Sequence, residues 1–462
     1  MNHIFKKKEN YLFSISFVFW KSAIEKIISI TLRAKIDSLM PNYAANIMSI
    51  FSSGNLMKKI KLHWQILIAI VIGIFFGLQF TDYVPYVSWL GDLFLRALNM
   101  IIIPLVLSSL ISGVANIGGE RLGRVGMKTM LFVVITTMLA VLTGLFLVNI
   151  IQPGVGADLG LMEKVDHLAS SPTSFGETLM RIVPTNVVDA ISKGDLLAII
   201  FFAVFFGALI TKLDTKYQSF LSDLFNSIFE IMMKMTLIII QFAPIGIFGI
   251  ISKVVGKQAA NPQILVAIGG RLGLLVITVL LGFVIHSLIT LPLLLKFVAR
   301  VSPLKHYQNM STALLTAFTT ASSGATLPIA LEAVEHKNGV SNKIASFVLS
   351  LGTTVNMNGT ALFECVGAIF IAQAYGIQLS FGQQVIAVII SLLSAVGAPG
   401  IPMAGLVVMT IVLKAMGLPI EGIGLILAVE RILDMFRTAI NVLGDTSTAV
   451  IVAKSEGEIL KI

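Results

Sequence analysis

The chain has 462 residues, of which 56% are hydrophobic and only 12% charged, where a soluble globular domain carries about 25% charged residues. This composition defines an integral membrane protein. At roughly 20 apolar residues per helical span, the length leaves little room for a separate aqueous catalytic domain. The net charge of +9 does not point to nucleic acid, because the basic residues gather in short clusters between apolar runs. These clusters are Lys58, Lys59 and Lys61; Arg121, Arg124 and Lys128; Lys212 and Lys216; and Lys296, Arg300 and Lys305. They alternate with loops poor in Lys and Arg, which is the positive-inside pattern of a multi-pass protein. The single cysteine, Cys365, excludes intrachain disulfides and Cys-based zinc sites.

Residues 1 to 56 read as an N-terminal extension. Lys6 to Lys8 precede the apolar run Tyr11 to Trp20, which is too short to span, and no small-residue cleavage motif follows it. An interfacial helix and an overlong start assignment are both open, and Met57-Lys-Lys-Ile-Lys reads as a cytoplasmic start before a first span. Hydropathy then predicts spans at 64–80, 94–114, 127–151, 196–212, 227–252 and 263–297. Further on, two apolar segments are interrupted by small residues and proline, Ala321-Ser-Ser-Gly-Ala-Thr-Leu-Pro328 and Gly397-Ala-Pro-Gly-Ile-Pro402, and each is followed by another span, 342–374 and 420–453. Non-helical backbone at membrane depth survives only where it is buried or lines a cavity. A pair of such breaks in corresponding positions points to a midplane binding site between inverted repeats, with proline kinks in packed helices as the alternative.

The last span carries Glu430-Arg-Ile-Leu-Asp434-Met-Phe-Arg437-Thr438-Ala-Ile-Asn441-Val-Leu-Gly-Asp445. At about 100° per residue, Asp434, Arg437, Thr438, Asn441 and Asp445 fall within an arc of about 100°, and the rest of the circumference, with Ile432, Met435, Phe436 and Val442, is apolar. Each charge at the centre of a span costs about 2.5 to 3.5 kcal/mol. Three facing lipid would cost roughly 8 to 10 kcal/mol, so the stripe must face protein, water or a ligand. A structural ion pair between Asp434 and Arg437, one turn apart, is the alternative.

A second constellation is Gly352-Thr-Thr354-Val-Asn356-Met357-Asn358-Gly359-Thr360. Its amides, hydroxyls and freed carbonyls are hard oxygen donors suited to small hard cations, with Asp445 as the anionic oxygen. A helix-breaking turn explains the Asn-x-Asn-Gly spacing equally well. Glu364, one turn further on, is either a proton carrier or a protonated core residue. No Walker A sequence occurs, Gly154-Val-Gly156 lacks the rest of a dinucleotide fingerprint, and the six histidines show no His-Glu-x-x-His spacing. Transport by such a chain draws on ion gradients rather than ATP, and no enzyme activity is expected.

At these motifs the sequence resembles the dicarboxylate/amino acid:cation symporters, the family of glutamate and aspartate transporters. The match runs from about Met57 to Glu456 and rests on Asn356–Thr360, Ser322-Ser-Gly-Ala-Thr-Leu-Pro328, Gly400-Ile-Pro402 and Asp434–Asp445. Arg121-Leu-Gly-Arg-Val-Gly126, Pro184-Thr-Asn186 and Ala243-Pro-Ile-Gly246 support it.

The resemblance implies an all-α polytopic protein of the cytoplasmic (inner) membrane with both termini cytoplasmic. It implies eight transmembrane helices, two re-entrant hairpins at about 302–335 and 383–416, inverted repeats, and a homotrimer working by an elevator mechanism. Residues 57–258 would be mainly scaffold and trimerisation helices, with the third span joining a transport domain at 259–456. Carried over residue by residue, Asp434 holds the substrate ammonium, Arg437 its side-chain carboxylate and Thr360 lies beside it. Asn441, Thr438, Ser322 and Ser323 bind the α-carboxylate end, and Ile401 and Gly405 close over the ligand. The chemistry agrees, because a guanidinium fork selects a carboxylate bidentately.

For cations, the resemblance implies one sodium site at Asn441, Asp445 and the Gly352 carbonyl, and a second at Thr354, Met357 and carbonyls near Ala395, Val396 and Ala398. A third, with Thr136, Thr137 and Asn356, has Asn358 where the family places an aspartate, so a third sodium bound as in sodium-only members is not implied. Glu364 stands at the position of the proton-carrying glutamate of proton-coupled relatives. Ala321 and Met435 occupy the two places where members carry a second arginine, which argues against potassium counter-transport. The expected activity is import of L-aspartate and L-glutamate coupled to sodium, with Glu364 adding proton co-transport and no bound cofactor. A proton-coupled C4-dicarboxylate carrier and an anion channel are the competing readings.

Overall fold

The computed structural model describes residues 62–115, 123–156, 183–259, 262–396 and 404–462. The expected N-terminal extension at 1–56, the Gly397–Pro402 break, Ala398 and Ile401 lie outside them. Among the described residues all regular structure is helical. Helices α1 (Leu62–Gln79), α2 (Pro85–Ala115), α3 (Gly123–Ile151), α4 (Val187–Lys193), α5 (Leu196–Ile210), α6 (Thr215–Gln241) and α7 (Ala243–Gln258) come first. Then follow α8 (Pro262–Ile285), α9 (Pro303–Thr320), α10 (Ser323–Glu332), α11 (Asn342–Val355), α12 (Asn358–Ala374), α13 (Phe381–Ala395), α14 (Ala404–Ala415) and α15 (Ile423–Ser455). Helix α8 continues to Ala299 through two π-helical turns, His286–Thr290 and Leu295–Ala299.

Four stretches are long and apolar enough to cross a membrane: Pro85–Ala115, Arg124–Ile151, Val266–Ala299 and Asn342–Ala374. The expected span 227–252 is instead two helices, α6 and α7, bent by 54°. Pro244 stands in the first turn of α7, the position at which a helix tolerates a missing N–H. The break expected over Ala321–Pro328 is likewise shorter than the sequence suggests. Only Ala321, with a left-handed φ of 51°, and Ser322 leave the helical conformation, while Pro328 lies within α10. The Ala321 N–H still donates to Ala317 O at 2.8 Å, which closes α9 as a left-handed cap. The span expected at 342–374 is divided into α11 and α12 by non-helical Asn356 and Met357.

The chain divides into two units. One contains, of the described residues, 62–100, 234–259 and 262–265, and in it α1 lies along α7. Added Cβ atoms on Gly73 and Gly77 would crowd Ile251 and Val255 of α7, so small residues allow the close helix approach that dispersion needs where lipid offers no hydrophobic drive. Phe76 stacks on Phe80 and meets Phe248 edge-on, and Lys253 pairs with Asp92 at 2.8 Å.

The other unit contains the described residues of 101–233 and 266–462. Its core joins α9, α10, α11 and α15 through Met310, Ala317, Ala330, Val348, Val442 and Val450, among other apolar side chains. Helix α12 is buried on every side, so its apolar residues show no solvent-facing stripe. Cys365 sits there as a buried free thiol.

Candidate functional site

Helix α15 turns its polar stripe inward. Asp434, Arg437, Thr438, Asn441 and Asp445 are all at most 5% exposed, while Ile432 is 51% and Phe436 38% exposed. Within the stripe, Asp434 and Arg437 neutralise each other. Arg437 Nη2 donates to Asp434 Oδ1 at 2.5 Å and lies 3.0 Å from Glu430 Oε1, and Arg431 Nη1 lies 3.4 Å from Asp434 Oδ2. The ion pair that the sequence left as an alternative is therefore present, enlarged by Glu430. Arg437 Nη1 has no hydrogen-bond partner among the described residues.

Two neighbours define the pocket of the guanidinium. Its carbon lies 5.1 Å from the centre of the Phe363 ring, a cation–π distance. On another side it rests on Gly405 of α14, where an added Cβ would collide with Nη1. Gly405 is thus required by close approach to Arg437. Thr438 Oγ1 donates to its own helix at Asp434 O, 2.8 Å away.

The start of α12 is held from α15. The first N–H groups of a helix have no partner within it, and here Asn441 Oδ1 accepts from Gly359 N at 2.8 Å and Thr360 N at 3.3 Å. Asn441 Nδ2 donates to Thr360 Oγ1 at 3.0 Å and to Met357 Sδ at 3.1 Å. One amide therefore gathers Met357, Thr360 and Asn441. Asp445 lies over Gly352, where any Cβ would overlap its Oδ1; that oxygen has no hydrogen-bond partner among the described residues. The Gly352 carbonyl accepts from Asn356 N at 2.9 Å, and Thr354 Oγ1 donates to Leu351 O at 3.1 Å.

The threonines of α3 meet the same break from the other side. Thr137 Oγ1 donates to Asn358 Oδ1 at 2.7 Å, and Thr136 Oγ1 lies 3.5 Å from both Asn356 Oδ1 and Asn358 Oδ1. Asn358 Nδ2 faces His286 Nε2 at 3.4 Å. No group of three or more His, Cys, Asp or Glu residues is arranged to hold a metal ion among the described residues. A cation here would rely on amide, hydroxyl and carbonyl oxygens with Asp445 as the single carboxylate, the donor set of a small hard ion.

Glu364 is fully buried in α12, and neither of its oxygens has a hydrogen-bond partner among the described residues. Arg437 and Glu430 are the charges that act on it. Ser322 caps α10, its Oγ accepting from Ala325 N at 3.2 Å, and Ser323 is buried in the first turn. The α9–α10 hairpin meets α15 through Phe318 edge-on to Phe436 and through buried His306, whose Nε2 lies 3.3 Å from Thr446 Oγ1. Ala395 and Val396 close α13.

Sequence reasoning assigned no role to Glu430, Phe363 and His286. Glu430 lies four residues before Asp434, inside the same arc of the helical wheel, so the arithmetic that found the stripe includes it. Phe363 and His286 come from other helices and give no local signal.

The geometry defines a membrane protein with a buried, charge-compensated pocket built around broken helices. Residues 62–455 match the Sodium:dicarboxylate symporter family, and the chain belongs to that family. It is 36% identical over 413 residues to the proton/sodium-glutamate symport protein of Geobacillus stearothermophilus, covering 87% of this chain and 96% of the relative. It is also 36% identical over 423 residues to the proton/glutamate-aspartate symporter of Escherichia coli K12, covering 87% and 94%. Excitatory amino acid transporter 3 of Oryctolagus cuniculus is 34% identical over 460 residues, covering 86% of each. The family consists of cation-coupled secondary transporters of dicarboxylates and acidic amino acids, not of enzymes.

Proposed function

We propose that the protein imports L-aspartate and L-glutamate by symport with sodium, Glu364 carrying a proton. The observation that carries this reading is the buried guanidinium of Arg437, which has one nitrogen without a hydrogen-bond partner among the described residues and stands one turn from Asp434. A carboxylate docks on the fork bidentately, and an ammonium takes Asp434. Thr360, Thr438, Asn441, Ser322, Ser323 and the second hairpin with Ile401 and Gly405 complete the substrate site. Sodium binds at Asp445, Asn441 and the Gly352 carbonyl, and at Thr354, Met357 and the carbonyls of Ala395, Val396 and Ala398. The cluster of Thr136, Thr137 and Asn356 has a neutral Asn358 in place of a carboxylate and binds no third sodium in the manner of sodium-only relatives.

Coupling follows from charge. An acidic amino acid carries one net negative charge, and its entry against an inside-negative potential costs about 2.3 kcal/mol per 100 mV. Two or more co-transported cations reverse that term. The same reading takes the chain as a homotrimer of eight-span subunits in the cytoplasmic membrane, with both termini cytoplasmic. In it residues 259–456 carry the substrate past a scaffold drawn mainly from 57–258.

Uptake of labelled L-aspartate into proteoliposomes, with the potential clamped, tests this directly. Uptake that requires a sodium gradient is expected; uptake driven by protons alone would withdraw the sodium assignments. A second reading, a C4-dicarboxylate carrier, is favoured by the pairing of Asp434 with Arg437 and Arg431, which offsets the repulsion that Asp434 would exert on a dianion. Strong competition by succinate against aspartate would select it.

A further inference from the structure

We infer that Glu430 is a specificity-determining counter-ion, an internal carboxylate that occupies Arg437 in the empty site and is displaced from it by the substrate's carboxylate. Three observations converge on this. Glu430 is completely buried, which for a carboxylate calls for a partner. Its Oε1 lies 3.0 Å from Arg437 Nη2, yet neither oxygen makes an aligned hydrogen bond among the described residues. Asp434 holds the same nitrogen more closely, at 2.5 Å and with hydrogen-bond alignment. Asp434 is therefore the closer partner of the guanidinium and Glu430 the more distant one.

The chemistry makes Glu430 a competitor. A guanidinium presents five N–H donors in one plane, and its two terminal nitrogens are the ones a carboxylate takes bidentately. Nη2 already serves two protein carboxylates. A ligand carboxylate approaching Nη1 and Nη2 meets Glu430 as a like charge at the same nitrogen, and Glu364 adds a further carboxyl nearby. A ligand with no side-chain carboxylate does not compete for that position. Glu430 thus tunes affinity for acidic ligands alone.

The inference rests on the proposed aspartate site, and equilibrium binding of L-aspartate and L-asparagine to purified protein in saturating sodium separates the two. In Glu430→Gln, which keeps the shape and removes the charge, aspartate should bind tighter by about tenfold, the low end of the coupling between close charges, with asparagine unchanged. Glu430→Asp, which draws the carboxylate back by one methylene, should tighten aspartate by less and serves if the first variant does not fold. An equal shift for both ligands, or weaker aspartate binding in a folded variant, would overturn the inference and make Glu430 a structural support. Failure of the wild-type protein to bind aspartate would overturn the site assignment itself, and this inference with it.

Discussion

Arg437 carries more partners than any other side chain in the pocket: Asp434 and Glu430 at one nitrogen, Phe363 over the plane, Gly405 beneath the other nitrogen. Arg437→Ala is expected to weaken aspartate binding by about a hundredfold or more, the scale of a buried charge pair losing one member, and to abolish uptake while the assembly persists. Aspartate affinity unchanged in that variant would refute the role. For Glu364→Gln the expected outcome is loss of the pH dependence of uptake with sodium-dependent exchange retained, and an unaltered pH profile removes Glu364 from the mechanism. At this scale the stripe from Asp434 to Asp445 was readable because helical periodicity is a property of one segment. Gly405 was expected at the ligand through the family resemblance, but its contact with Arg437, and that of Phe363 with the same guanidinium, were not legible, because both come from other helices and follow no sequence spacing.

Among the helices, what matters is where each one stops. Hydropathy does not separate α6 from α7, since the apolar run continues through Phe242, Ala243 and Pro244; the division falls where Pro244 takes its place in the first turn of a new helix. The α11–α12 break was legible as a polar motif, yet its architecture was not, because the cap of α12 is supplied from Asn441, 82 residues away from Gly359. The close contact of Gly352 with Asp445 gives a test at this scale. Gly352→Ala would place a methyl group on the Asp445 carboxylate, and the sodium concentration needed for half-maximal uptake should rise by about tenfold or more, as when the support of a metal ligand is lost. A sodium dependence identical to that of the wild type would separate Asp445 from cation binding.

Across the whole molecule, the last residues of the chain fasten distant segments of one unit. Arg124 Nη2 and Lys128 Nζ each lie 2.6 Å from Glu456, and Glu458 accepts from Ser341 N at 2.9 Å. Hydrogen bonds from Arg124, then from Lys128, hold the Glu456 carboxyl down to about 2, from an ordinary 4.5. A carboxyl lowered on folding contributes its stability above the ordinary value and loses it as the pH falls towards the folded one. Thermal stability in detergent should therefore decline between about pH 4.5 and pH 2, and Glu456→Gln should flatten that decline; an identical acid profile would show that the tail contributes nothing. In the sequence Arg124 and Lys128 belong to a basic cluster, and Arg124 also to a family motif, but nothing there pairs them with Glu456.

The amide of Asn441 has a consequence of its own. A carbonyl oxygen offers two lone pairs, and in Asn441 both already receive N–H groups, from Gly359 and Thr360. An ion drawing on that oxygen must share it with the first turn of α12 or take it away. Ion occupancy and fraying of that turn then become one equilibrium, and deuterium uptake at the amides of Gly359 and Thr360 would serve as a gauge of how full the ion site is.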